Sequence, residues 1–190
     1  MFWWMRFDWV EFKVPEPTGK IPLLIDMVEP GFEMPIHEMG FRFLGGKTDQ
    51  RKIGDFAKDM EIAFLISENA FSVLRSMLQN SGRCWPMPVG KYKYWFVFID
   101  AIEPGFDRSR SNFDIMPSGA INNMRRLRLV DDFHCNRDIF RLEGEPGVTG
   151  HLIVSEMFRS TCERNNFTGV FFKPVSGQPP LPPEISTVLH

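Results

Sequence analysis

The sequence predicts an α+β protein with mixed sheets and few helices, in which two related strand–helix–strand lobes pack together. Three observations lead to this prediction. A strand–helix–strand pattern occurs twice, a second sequence echo precedes each copy, and the other apolar segments are rich in aromatic and β-branched residues. With 190 residues, of which 43% are hydrophobic, the chain has enough apolar side chain to bury a core.

The later copy of the pattern begins with an apolar run at 152–154, which predicts a strand. Ser155 and Glu156 then predict the start of a helix. A serine hydroxyl accepts a hydrogen bond from a free amide of the first turn, and a glutamate places negative charge at the positive end of the helix dipole. Gly169 predicts the exit from the helical conformation, and a second strand is expected at 170–172.

The earlier copy has the same order of signals. It runs from Phe64 to Glu68, continues with helical spacing, and reaches Gly82 and then a Pro-Val pair at 88–89. Two further segments, 25–33 and 99–107, also resemble each other, and one of them precedes each copy. Ile, Asp, Glu, Pro, Gly and Phe stand at matched places in both segments. This alternation predicts a duplication whose halves meet near residue 95. The alternative is that Ser-Glu is a common helix start and Glu-Pro-Gly-Phe a common turn.

The duplication predicts an N-terminal lobe at 1–95 with an acidic and aromatic-rich start, a C-terminal lobe at 96–176, and a proline-rich tail at 177–190. The tail favours an extended polyproline conformation. The alternating aromatic run at 91–102 is the clearest strand. The other predicted elements are strands at 2–14, 22–26, 112–115, 124–130 and 138–142 and one helical turn at 53–58.

The composition argues against several classes of protein. A formal net charge of -2 argues against an obligate nucleic-acid binder, because there is no large positive field to displace counterions from phosphates. Three widely spaced cysteines fit reduced thiols better than a disulfide framework. Charges interrupt the first residues, and no run approaches the ~20 apolar residues that cross a bilayer. We therefore expect a cytoplasmic protein that contacts neither membrane nor nucleic acid.

The sequence shows no constellation that carries catalysis. The segment 45–48 resembles the end of a phosphate-binding loop, but it lacks the first glycine of that motif. His134 and Cys135 stand beside Asp131 and Asp132, yet adjacent positions of a strand point to opposite faces and would not easily hold one ion. The residues therefore predict no catalytic residue, no metal site and no cofactor.

Several segments of the second half, taken in order, resemble the C-terminal signature of a bacterial immunity-protein family from polymorphic toxin systems. Those segments are 112–114, 124–131, 138–142, 152–156 and 169–175. The segments at 64–68 and 95–102 are similar to the middle part of that family, so the resemblance covers about residues 60–175. The first 60 residues match it poorly.

The resemblance implies a non-enzymatic α+β protein that is encoded beside a toxin and neutralises it in the cytoplasm of the producing cell. The toxin would be an antibacterial effector of the contact-dependent or type VI secretion kind. The expected partner is this cognate toxin, and the sequence also leaves a homo-oligomer open.

The first 40 residues are the predicted contact surface. They contain seven acidic side chains against three basic ones, together with several tryptophans. Nuclease toxins are commonly basic, and an acidic, aromatic-rich surface offers them both steering charge and apolar anchors. The candidate toxin-binding residues are Trp3, Trp4, Asp8, Trp9, Glu11, Asp26, Glu29 and Glu33.

Two other functions stay open at the level of sequence. One is a nucleic-acid-binding module that uses Arg125, Arg126 and Arg128 together with the aromatic strand. The other is a small hydrolase or transferase whose site gathers dispersed residues, such as His134 or His151 with a carboxylate.

Overall fold

A computed structural model describes residues 1–19, 32–33, 35, 38–43, 49–58, 63–144 and 151–175. Within these residues the chain forms two helices and thirteen strands in mixed sheets, which confirms the predicted α+β class. The helices are α1 (Glu68–Gln79) and α2 (Glu156–Arg164). The strands are β1 (Phe2–Phe7), β2 (Pro15–Pro17), β3 (Phe41–Phe43), β4 (Phe56–Lys58), β5 (Ala63–Ser67), β6 (Gly82–Val89), β7 (Tyr92–Ile99), β8 (Ile102–Glu103), β9 (Asn112–Ile115), β10 (Ile121–Arg126), β11 (Ile139–Leu142), β12 (Leu152–Ser155) and β13 (Val170–Pro174).

The strands form two large sheets and a separate hairpin. A six-stranded sheet has the order β2-β3-β6-β7-β5-β4, and together with α1 we call it lobe A. A five-stranded sheet has the order β13-β1-β12-β11-β8, and together with α2 we call it lobe B. β9 and β10 form an antiparallel two-stranded hairpin. Two pairs are parallel, β3 with β6 and β8 with β11, and the other strand pairs are antiparallel.

The central strands of lobe A are buried on both faces. Phe64 and Ile66 of β5 belong to a core that is shared with α1 and lobe B, whereas Ala63 and Leu65 belong to a second core on the opposite face. Successive residues of a strand point to opposite faces, so burial on both sides requires the unbroken apolar run seen in this segment. The shared core holds the two lobes together.

The two lobes share the same arrangement of strands. In lobe A, β4, β5, α1, β6 and β7 correspond to β11, β12, α2, β13 and β1 of lobe B. Trp95 of β7 pairs with Ile66 of β5, and Trp3 of β1 pairs with Val154 of β12 in the matching place. The N-terminal strand therefore occupies in lobe B the position that β7 occupies in lobe A.

Several sequence predictions are confirmed, and others change. The strands predicted at 91–102, 112–115 and 138–142 are present as β7 with β8, β9 and β11, and both strand–helix–strand copies are confirmed. The predicted helical turn at 53–58 is wrong, because β4 forms there and pairs with β5.

The predicted lobe boundary and the first strand also differ from the sheets. The strand predicted at 2–14 ends at Phe7. Since β1 pairs within lobe B and β7 runs through residue 95, the sheets divide the strands differently from a cut at that residue. The predicted strand at 22–26, most of the echo at 25–33 and the tail at 177–190 lie outside the described residues. Across the described ranges, no helix has both the length and the apolar character to span a membrane.

Candidate functional site

Each helix begins with a serine that caps it and also binds an aspartate. In lobe A, the Ser67 hydroxyl accepts from the amide of Ala70 at 3.2 Å and donates to Oδ1 of Asp55 at 2.7 Å. In lobe B, the Ser155 hydroxyl donates to Oδ1 of Asp138 at 2.6 Å and accepts from the third helical amide at 3.1 Å. The serine satisfies one of the free amides of the first turn, and the aspartate fixes the serine rotamer.

A tryptophan and a glutamate complete this repeated arrangement. The indole Nε1 of Trp95 donates to Oε2 of Glu68 at 3.0 Å, and that of Trp3 donates to Oε2 of Glu156 at 2.5 Å. Burial is the largest single influence and raises the pKa of the Glu156 carboxyl. Hydrogen bonds from Arg159 and Trp3, together with the positive charges of Arg159 and the N-terminal amine, hold that pKa below its ordinary value of 4.5. Glu156 is therefore ionised at neutral pH.

The lobes differ in what else binds the aspartate. In lobe A, Oδ2 of Asp55 accepts from both the amide and the hydroxyl of Thr168, each at 3.0 Å. The amide of Phe56 donates to the carbonyl oxygen of Thr168 at 2.9 Å. Gly169 follows with φ of +84°, and a Cβ there would lie 2.1 Å from the carbonyl oxygen of Phe56, so glycine is required. The loop at 167–169 thus closes this end of lobe A.

In lobe B the equivalent aspartate and serine lie beside an open cleft of about 750 Å³. Asp138 and Ser155 line it, and no donor from the described residues other than the Ser155 hydroxyl reaches the Asp138 carboxylate. Met1 and Met157 form apolar walls and are 37% and 60% exposed. The cleft therefore offers the carboxylate of Asp138, with that of Glu156 beside it, between flexible apolar side chains, which is a common composition for a binding site.

Other groups at the cleft are already engaged. Arg137 pairs with Glu103 at 3.0 Å and donates to the carbonyl oxygen of Asn80 at 2.6 Å. Burial raises the pKa of the Cys135 thiol, which keeps it protonated near neutral pH and makes it a poor nucleophile. The cleft can therefore bind a ligand through hydrogen bonds and apolar contacts.

A second exposed feature is the turn that follows β1. Oδ1 of Asp8 accepts from the amides of Val10 and Glu11 at 3.0 and 3.1 Å. The amide of Asp8 donates to the carbonyl oxygen of Gly169 at 3.1 Å. The amide of Lys52 donates to the carbonyl oxygen of Glu11 at 2.9 Å. This turn, residues 8–11, is held at both ends, yet Trp9 and Val10 are 58% and 74% exposed.

The predicted contact residues therefore fall into different environments. Trp4 is only 7% exposed, with its ring centroid 4.7 Å from that of His151, so it is a core residue. Trp3 is half-buried against Glu156, and Asp8 holds the turn. Trp9, Glu11 and Glu33 are exposed, while Asp26 and Glu29 lie outside the described residues.

The groups that suggested other functions do not converge. Arg125 pairs with Asp114 at 2.6 Å, and most of the aromatic strand β7 is buried, so its rings do not form a stacking surface. His134 is exposed, whereas His151 contacts Trp4. In the described part of the chain, no three His, Cys, Asp or Glu side chains come together in a way that could hold a metal ion.

Sequence reasoning missed Asp55, Asp138 and Thr168. The two aspartates stand 12 and 17 residues before the serines that they bind. A signal is present in the sequence, since an aspartate followed by two apolar residues stands before each copy, at 55 and at 138. The repeat therefore extends upstream of β5 and β12.

No family model matches this chain, and no curated protein matches it.

Proposed function

We propose that this protein is an immunity protein that binds and neutralises a cognate antibacterial toxin in the producing cell, and that Trp9 and Val10 anchor the interface. The proposal draws on the resemblance of residues 60–175 to immunity proteins of polymorphic toxin systems. The observation that carries the contact surface is the fixed turn at 8–11, which holds two large apolar side chains in water.

An exposed tryptophan on a fixed turn is suited to protein binding. Tryptophan is among the residues that most often dominate the free energy of an interface, because a large ring leaves water at small cost in side-chain entropy. The turn is preorganised by the Asp8 carboxylate, so little conformational freedom is lost on binding. Glu11 is exposed beside these residues and adds negative charge that would steer a basic partner.

Co-expression with the toxin encoded by the neighbouring gene tests the proposal. We expect wild-type protein to protect cells and to co-purify with the toxin. Trp9→Ala should weaken toxin binding by ~30-fold, as expected for a central aromatic anchor of about 2 kcal/mol, while the free energy of unfolding stays within about 0.5 kcal/mol of wild type.

Tyr92→Ala is the matched control, because Tyr92 is also a partly exposed aromatic residue, at 38%, but lies on β7. It should bind the toxin as wild type does. Equal killing of cells with and without this protein would overturn the proposed function. Equal binding by wild type and Trp9→Ala would overturn only the choice of surface.

A further inference from the structure

The cleft of lobe B and the closed end of lobe A are equivalent places in two related lobes. Both contain an aspartate bound by the N-cap serine, and in both the serine amide donates to the carbonyl oxygen of that aspartate, at 2.7 Å from Ser67 and at 2.9 Å from Ser155. In lobe A the aspartate also binds a loop that comes from the other lobe. In lobe B the described residues supply no such loop.

The loop of lobe A shows what chemistry this arrangement accepts. Thr168 directs its amide and its hydroxyl to the same carboxylate oxygen, and it accepts the amide of Asp55 at 3.1 Å in return. Gly169 lets the loop backbone approach the strand closely, and the ring of Phe167 lies 6.4 Å from that of Phe56. The occupant is thus an aromatic residue, a hydroxyl residue and a glycine in sequence.

A second difference keeps the cleft of lobe B open. Tyr94 is paired with Ser67 in lobe A, and its hydroxyl donates to the carbonyl oxygen of Gly54 at 2.5 Å. The corresponding residue in lobe B is Phe2, which pairs with Ser155 and has no hydroxyl. Gly54 corresponds to the residue before Asp138, which is the much larger Arg137. The hydrogen bond that tightens lobe A therefore has no counterpart in lobe B.

We propose that the cleft of lobe B binds a loop of a partner protein that presents a serine or threonine followed by glycine, with the amide and hydroxyl of that residue donating to Asp138. Met1 and Met157 cover the apolar residue of the incoming loop, because methionine adapts to different shapes. An anion at this helix start is disfavoured, since Asp138 and Glu156 bring two carboxylates there. The guanidinium groups of Arg137 and Arg164, which also line the cleft, already donate to Glu103 and to Thr161. The identity of the partner as a toxin rests on the proposed function, whereas the cleft itself does not.

The chain supplies a probe for this cleft. A blocked synthetic peptide of residues 165–170, Asn-Asn-Phe-Thr-Gly-Val, carries the sequence that occupies lobe A. Titrated into the isotopically labelled full chain, it should shift the backbone amide resonances of residues 135–138 and 155–157, with a dissociation constant of about 1 mM. A peptide with valine in place of threonine has the same shape without the hydroxyl and should bind at least tenfold more weakly.

Two variants of the protein complete the test. Asp138→Asn keeps an oxygen for the Ser155 hydroxyl but turns a donor toward the cleft, and it should weaken peptide binding about tenfold. Met157→Lys changes an exposed wall residue, leaves the fold intact and places an ammonium group that competes for Asp138. It should weaken binding as well.

Shifts confined to residues 54–56 would mean exchange with the loop of lobe A and would overturn the proposal, as would equal binding of both peptides. The result is separable from that of the toxin experiment. Peptide binding without toxin binding overturns the proposed function alone, and toxin binding without peptide binding overturns the cleft alone.

Discussion

Lobe A and lobe B begin their helices with the same hydrogen bonds, but they place apolar bulk differently. In lobe A, the second and third residues after Glu68 are Ala70, which is buried, and Phe71, which stacks on Trp95 with ring centroids 3.9 Å apart. In lobe B the corresponding residues are Phe158, which is fully buried, and Arg159, whose guanidinium lies 4.3 Å from the Trp3 ring. The same turn thus tolerates two ways of packing a tryptophan.

Only some parts of the repeat are constrained to be the same in both lobes. The serine, glutamate and aspartate satisfy backbone and indole donors, and these donors occur in both lobes. The side chains around them fill whatever volume the sheet and the other lobe leave. Polar satisfaction is therefore shared between the lobes, whereas packing and closure are specific to each.

The largest change in the free energy of unfolding should come from the residue that fills the core beside α2, and it tests the difference in packing between the lobes. Phe158→Ala removes a fully buried ring from the shared core, and it should lower the free energy of unfolding by about 3–5 kcal/mol. Ala70→Gly, at the equivalent helical position, should cost only about 2 kcal/mol, from the difference in helix propensity and the loss of one buried methyl group. Urea denaturation followed by circular dichroism measures both. Equal losses would mean that α2 does not depend on this ring, contrary to its burial.

Local signals allowed much of this fold to be predicted from sequence. Ser67 and Ser155, each followed by glutamate, indicate the helix starts. The exit expected at Gly169 is wrong, because α2 ends at Arg164 and Asn166 takes the positive φ of +54°. The alternating run of β7 indicates a strand because its pattern is long enough to show the period. The helical turn predicted at β4 is wrong because three residues are too few to show the spacing of apolar side chains that distinguishes a strand from a helix. Their conformation is decided by the pairing with β5.

Contacts distant in sequence could not be predicted. β1 lies between β12 and β13, and Trp3 binds a glutamate 153 residues away, for which no local pattern exists. Without these neighbours, a strand with apolar residues on both faces does not reveal that Trp4 is buried while Trp9 is exposed. The candidate cleft could not be predicted for the same reason. The role of Asp138 becomes clear only when its position in the fold is compared with that of Asp55, which binds Thr168.

A smaller effect tests the closure of lobe A against the open cleft of lobe B. Asp55→Asn places an amide group against the two donors of Thr168, and it should cost about 1.5–3 kcal/mol, as expected for hydrogen bonds to a charged acceptor. Asp138→Asn keeps its bond from Ser155 and should cost less than about 0.5 kcal/mol. Thermal or urea denaturation of both variants gives the comparison.

Thr168→Val provides the control for this comparison. If the contact between Asp55 and Thr168 is the cause, the losses from Asp55→Asn and Thr168→Val will not add in the double variant, because both substitutions disrupt the hydrogen bond between these two side chains. Additive losses, or equal losses from the two aspartate variants, would show that the lobes are equally closed.

The smallest effect concerns the glutamates that bind the tryptophans, and it depends on pH. The pKa of Glu156 is lowered in the folded protein, so its carboxylate stabilises the fold above the unfolded pKa of about 4.5, and this contribution is lost as pH falls through the lower folded value. Glu156→Gln should therefore be less stable than wild type by about 1 kcal/mol at pH 7. Toward pH 3 the difference should shrink, because protonated glutamate and glutamine are alike in charge.

Glu68→Gln is the matched variant in lobe A. Glu68 accepts from Trp95 at 3.0 Å but has no counterpart of Arg159, since that position is Phe71. A glutamine still accepts the indole proton, so this variant should differ from wild type by less than Glu156→Gln does at pH 7. Urea denaturation of wild type and of both variants, at pH 7 and toward pH 3, measures each variant's difference from wild type in the free energy of unfolding. A loss for Glu156→Gln that is the same at both pH values would mean that Arg159 and Trp3 do not stabilise the ionised carboxylate, because their hydrogen bonds and the charge of Arg159 are among the causes of its lowered pKa.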